Sequence, residues 1–272
     1  MNRFFIGIPL AHSMERRPLI QVCSDLHLDY GDLSESDFPD VLVPSSDLLI
    51  LAGDIGSPFS LLFEDFLAYC SRSYRHVLFV PGNHEYYYST LPHTHRLLHA
   101  IFQKYPNLHL LDETTSFEYK GVLFVGCTLW SHVTDGSPLT NEFYAIREFP
   151  LSKRRALYET HVAFIQEMLA YASDKKMPCV VITHYAPSLR CISSEYLDDA
   201  THCWFASPLD SLMEHPSLRG WVYGHTHHNI HETDTKGAFL YANCFRGENY
   251  CSSFSLLEEE KVDSLDFPPL AT

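Results

Sequence analysis

Seven residues in five short groups have the types and spacing of a metal centre: Asp25 with His27, Asp54, Asn83, His184, and His225 with His227. They supply two carboxylates, one amide carbonyl and four imidazoles, a mixed oxygen and nitrogen set that borderline divalent cations favour. Asp25 and His27 are two apart, as are His225 and His227, so on extended backbone each pair points to one side and can share an ion. Two divalent cations about 3.5–4 Å apart repel strongly unless an anion lies between them. Asp54 stands alone after its apolar run and is the candidate bridge. Two such cations less two carboxylates and a hydroxide leave about one positive charge, which would hold a phosphate and acidify a bound water.

The groups need elements to gather them, and each follows an apolar run. Pro18–Cys23 leads to Asp25, Asp47–Ala52 to Asp54, His76–Val80 to Asn83, Pro178–Ile182 to His184, and Trp221–Tyr223 to His225. Short apolar runs bounded by turn residues read as buried strands, and ligands of open α/β sheets gather beyond strand carboxyl ends. The spacing of Asp25, Asp54 and Asn83 allows one strand–helix–strand unit each time. Helices are expected over 58–71, 89–104 and 152–172, with a short one capped by Ser207 and Asp210 and ending near Pro216. Further strands are expected at 107–111, 116–119, 122–125, 239–243 and 253–257. The pattern supports α/β with a mixed sheet in one domain spanning 1–272.

The five groups read Asp25-Leu-His27, Gly53-Asp54, Gly82-Asn-His-Glu85, Thr183-His184 and Gly224-His-Thr-His227. In this order they resemble the calcineurin-like metallophosphoesterases, over roughly Leu19 to His227. The resemblance implies a four-layer αββα sandwich of two mixed sheets flanked by helices. It implies a hydrolase of a phosphomonoester or phosphodiester, attacked by hydroxide from a two-metal centre, with Mn²⁺, Fe or Zn²⁺ as the cations. Asp25, His27 and His227 would complete one site and Asn83, His184 and His225 the other. His84 would be no ligand but a proton donor or charge stabiliser above the site. Several subgroups are disfavoured. Gly53-Asp-Ile-Gly-Ser-Pro58 lacks the Asp-Arg-Gly of protein phosphatases, and Ser57 replaces the metal-binding Tyr of purple acid phosphatases. Asp25 stands where debranching enzymes have Cys, and His84 where lipid-A pathway hydrolases have Arg.

Composition narrows the substrate. The formal charge of −15 is the reverse of what a duplex-binding face requires, so a small phosphorylated substrate, such as a nucleotide, is expected over long nucleic acid. A nuclease, or a non-enzymatic interaction module that keeps this fold, is the alternative. No run is long enough to span a bilayer. Eight cysteines without C-x-x-C read as reduced thiols of a cytoplasmic protein. Residues 1–13 read as a dispensable extension before Met14, a cleaved leader being the alternative. Candidate substrate contacts are Tyr86, Tyr185 and Arg246, whereas His93, His95 and His99 read as solvated helix positions. The stretch 188–206 has aromatics but no period. It is expected to be a lid or rim that can be shortened with both metals kept.

Overall fold

The computed structural model describes residues 19–31, 33–197, 199–233, 238–245 and 253–255. The first sheet contains β1 (Leu19–Cys23), β2 (Leu48–Leu51), β3 (His76–Phe79) and β4 (Leu108–Leu110) in parallel order, with β11 (Ser253–Ser255) antiparallel on the edge of β1. The second contains β5 (Ser116–Tyr119), β6 (Val122–Cys127), β7 (Cys179–Thr183), β8 (Leu218–Tyr223), β9 (His231–Thr233) and β10 (Phe239–Ala242). Its order is β5-β6-β7-β8-β10-β9, parallel at the centre and antiparallel at both edges, so both sheets are mixed.

The period of two along each strand sorts the layers. Ile20, Val22, Leu48, Ile50, Leu78 and Val80 pack against Phe124, Val180, Ile182 and Val222 between the sheets. The alternate residues Leu49, Leu51, Val77 and Phe79 turn outward onto α2 (Leu61–Ser73) and α3 (Leu91–Phe102). On the other side, Val125, Val181 and Trp221 meet α5 (Leu151–Lys175). The result is the αββα sandwich. Its central strands are buried on both faces, which is why β2 and β7 read as unbroken apolar runs rather than alternations.

The expected helices exist with shifted ends. Ser60 caps α2, its hydroxyl accepting from Leu62 N–H at 3.2 Å, so Phe59 and Leu61 lie outside the buried face. Two short helices, α1 (Phe38–Val41) and α4 (Asn141–Ala145), have no counterpart in the sequence reading. The Ser207 cap is wrong: α6 (Asp210–Met213) starts after Leu209, and the buried Ser207 hydroxyl instead accepts from His132 N–H at 3.0 Å. Residues 1–13, Met14, Arg246 and the end of the 253–257 strand lie outside the described residues. Among the described residues, no helix is long and apolar enough to cross a membrane, and seven cysteines are free.

Candidate metal centre

The five loops that leave β1, β2, β3, β7 and β8 meet at the carboxyl edge of the two sheets. Their backbone is not extended. Asp25, His27, Asp54, His225 and His227 all have positive φ, between 47° and 67°. The same-side argument from extended spacing therefore fails; sharp left-handed turns aim these side chains instead. Asp and His are among the residue types enriched in that region, and its cost is borne by the surrounding bonds. A Cβ at Gly224 would lie 2.8 Å from Asp25 Oδ2, and one at Gly82 would strike Asp54 Oδ1, so both turns need glycine.

Glu85 holds two of these turns together. Fully buried, its carboxylate accepts from the N–H groups of Asp54 (3.0 Å), Ile55 (2.8 Å), Gly56 (3.2 Å) and Gly82 (2.6 Å). Asp25 does the same for the first and last loops, accepting from the Ser24 hydroxyl and from His225 N–H at 3.0 Å.

Two groups of donor atoms result. In one, His27 Nε2 and His227 Nε2 lie 3.4 Å apart and His227 Nε2 lies 3.5 Å from Asp25 Oδ1. In the other, His184 Nε2 lies 2.9 Å from Asn83 Oδ1 and 3.3 Å from Asp54 Oδ2, with His225 alongside. Asp54 belongs to both neighbourhoods, grouped with His184 and His225 and also with His27 and His84. The donor set fits cations. His184 Nδ1 donates to Ala52 O at 2.9 Å, and a neutral imidazole has only one N–H. Its Nε2 lone pair then faces two oxygens, an arrangement that a positive charge between them would satisfy. Burial alone would lower the His184 pKa, but the Asp54 carboxylate raises it to about 9, so positive charge is favoured at Nε2, whether a proton or a cation that displaces it. Burial would raise Asp54, and His184 instead holds it well below the carboxylate range.

His225 Nε2 donates to the backbone carbonyl of Trp204 at 3.1 Å, which leaves Nδ1 free to ligate. Burial, with His184 beside it, holds His225 in the neutral form that metals require. Trp204 is itself pinned: Nε1 donates to Pro138 O at 2.8 Å, and the Arg154 guanidinium lies 4.6 Å from its ring. Arg154 is 2% exposed, ion-paired to Glu142, and donates to Ser131 Oγ at 3.0 Å. Thus the stretch 188–206, expected as a lid or rim, lies at the rim of the site. It is built from short 3₁₀ turns at Leu189–Cys191, Ser194–Tyr196 and His202–Trp204, and it supports a candidate ligand.

His84 sits where both groups meet. Its N–H donates to Asp54 Oδ1 at 2.8 Å, and its ring packs on His27 (4.4 Å) and Tyr87 (4.1 Å). Nδ1 has no partner among the described residues, and Nε2 is 3.8 Å from Asp54 Oδ2. Burial lowers its pKa from 6.5, partly opposed by Asp54. A cavity of about 480 Å³ opens over Asp54, Asn83, His84, His225 and His227, walled by Tyr87, 140–142 and the 192–205 stretch.

Two expected substrate contacts do not reach it. Tyr86 is 1% exposed because the 3₁₀ turn His84–Tyr86 rotates it inward, onto Trp130 and His95. Tyr185 is fully buried between Trp130 and His225. Tyr87 takes the place of Tyr86: its hydroxyl accepts from Asn83 Nδ2 at 2.9 Å, which turns Asn83 Oδ1 toward His184. The sequence shows only three tyrosines in a row and does not say which faces inward. His95 is not solvated, since it shares a 2.7 Å hydrogen bond with Tyr86 OH, whereas His93 and His99 are exposed.

A family model described as calcineurin-like phosphoesterase matches residues 19–229. The fold is similar to that of the phosphopantetheinyl hydrolase of Mycobacterium tuberculosis, 19% identical with a TM-score of 0.66, over 84% of this chain and 89% of that one. It is also similar to a dimetal phosphatase from Danio rerio, 14% identical with a TM-score of 0.52, over 82% and 86% of the two chains. In sequence, the uncharacterized protein L509 of Acanthamoeba polyphaga mimivirus is 26% identical over 239 residues, covering 77% of this chain and 85% of the viral one.

Proposed function

Because the chain belongs to the calcineurin-like phosphoesterase family, we propose that it hydrolyses a phosphomonoester or phosphodiester bond of a small substrate. The observation that carries this reading is the pair of donor groups that share Asp54 beneath one cavity. Asp25, His27 and His227 would hold one divalent cation, Asn83, His184 and His225 the other, and Asp54 both. Bound there, Mn²⁺, Fe or Zn²⁺ supplies the charge that holds a phosphate and the acidity that turns water into a nucleophile at neutral pH.

The remaining chemistry belongs to the side chains. His84 lines the cavity beside Asp54, with Nε2 3.8 Å from its Oδ2, a place from which an imidazole can give a proton to a departing oxygen. Tyr87 packs on that ring and limits its rotation. The cavity admits a small molecule, and the net charge of −15 works against a long polyanion. We place the protein in the cytoplasm, a reading supported by its free cysteines.

The test is turnover of p-nitrophenyl phosphate and bis-p-nitrophenyl phosphate with added Mn²⁺, alongside metal analysis of protein purified without chelator. Two metal equivalents and hydrolysis of at least one ester are expected. One equivalent with no turnover of either ester rejects the reading.

A further inference from the structure

The wall of the cavity carries charge of one sign. Among the described residues, no Lys or Arg lines it. Two carboxylates do, and they differ. Glu142 is matched by the buried Arg154, which lies behind the wall and presents no charge to the cavity. Asp199 has no arginine partner: it is exposed, accepts from the N–H and hydroxyl of Thr201 at 2.7 and 2.6 Å, and has as its basic neighbour His202, whose Nδ1 lies 2.8 Å from the Asp199 carbonyl. Apart from the imidazole of His202, the rest of the wall is uncharged among the described residues. Tyr87 and Tyr196 offer aromatic surface.

We infer that the organic half of the substrate is uncharged or cationic, with a planar or aromatic part, and that a second phosphate on that half is rejected. The inference rests on the phosphoester reading above and deepens it. The metal loops alone would not give this selectivity. A centre with residual positive charge attracts extra phosphate, so any preference for one phosphate over two must come from the wall. A like charge set against Asp199 at the rim is unfavourable, and among the described residues no Lys or Arg lining the cavity offsets it.

The experiment uses the full chain loaded with Mn²⁺ and turning over p-nitrophenyl phosphate, with adenosine 5′-monophosphate and adenosine 3′,5′-bisphosphate as competitors. The monophosphate should inhibit about tenfold more strongly than the bisphosphate. Asp199→Lys should narrow that ratio about tenfold, and Asp199→Asn should narrow it by less. Equal or stronger inhibition by the bisphosphate overturns the inference, as does a ratio that Asp199→Lys leaves unmoved. Failure of the parent to hydrolyse nitrophenyl phosphate would instead reject the phosphoester reading itself, and this inference with it.

Discussion

Two clusters of imidazoles and carboxylates lie on either side of the Tyr86–Tyr87 turn, and they behave in opposite ways. In the cluster at the loop ends, nitrogens converge on one another and on oxygens, as in the 3.4 Å approach of His27 Nε2 to His227 Nε2. The other cluster lines a smaller cavity of about 200 Å³ with His95, His161, Asp112 and Glu113. There each ring is already engaged. His161 Nδ1 accepts from Leu129 N–H at 3.1 Å and its Nε2 faces Glu113 at 3.4 Å, while His95 bonds to Tyr86 OH. Histidine and acid content therefore does not identify a metal site. What matters is whether donor atoms from several loops converge on one another, or whether each is turned toward a separate partner in the fold.

The largest break in this contrast is Asp54→Asn. A neutral amide cannot screen two cations, so metal content should fall well below two equivalents and kcat/KM by at least about 10³-fold. A variant that keeps both metals and full activity would remove Asp54 from the bridging role. Next, His84→Ala should keep the metals and lower kcat by roughly 10²–10⁴. The loss should be smaller for nitrophenolate, which needs no proton on leaving. Metal loss in this variant would move His84 into the ligand set, next to the Asp54 and His27 atoms it already neighbours.

The region between the two clusters was the least legible from sequence. The strands were readable because sheets buried on both faces need unbroken apolar runs. Arg154 was not readable. On a long helix an arginine reads as solvated, yet this one lies among the rings of Trp130, Tyr185 and Trp204. Nor can a sequence show that the carbonyl of Trp204, a backbone atom common to all residue types, would hold His225. Tyr87 was lost among its neighbours because a 3₁₀ turn has neither the helical nor the strand period. Arg154→Met should make the connection visible. It strands Glu142 as a buried, unpaired charge, costing about 3–5 kcal/mol in urea denaturation. It also loosens Trp204, which should weaken metal binding at the His184 site about tenfold. Arg154→Met with Glu142→Leu should recover most of the stability, since no charge is then left unpaired, but not the metal affinity. Recovery of both would separate Trp204 from the metal centre.

The smallest expected effect lies in the second cluster, and it tests the contrast from the other side. His161→Leu removes an acceptor from the buried Leu129 N–H, so it should cost about 1–3 kcal/mol while leaving two metals and kcat near parent values. It should also change how stability depends on acid. The hydrogen bond from His161, working against burial, lowers Glu113 from an ordinary 4.5 to about 2. A carboxyl lowered by folding stabilises above its unfolded pKa, and that contribution drains away as pH falls through the folded one. The parent should therefore lose this stabilisation between about pH 4.5 and pH 2, and the variant should not. Glu113 is partly exposed, so the difference in slope amounts to less than about 1 kcal/mol. Urea denaturation of both proteins at pH 5 and pH 3, with chelator present, isolates it, because the other carboxylates are common to the pair. Parallel losses would mean that His161 serves only the Leu129 turn. A steeper loss in the parent would show that these imidazole nitrogens are occupied by the fold, which is why this cluster holds no metal position.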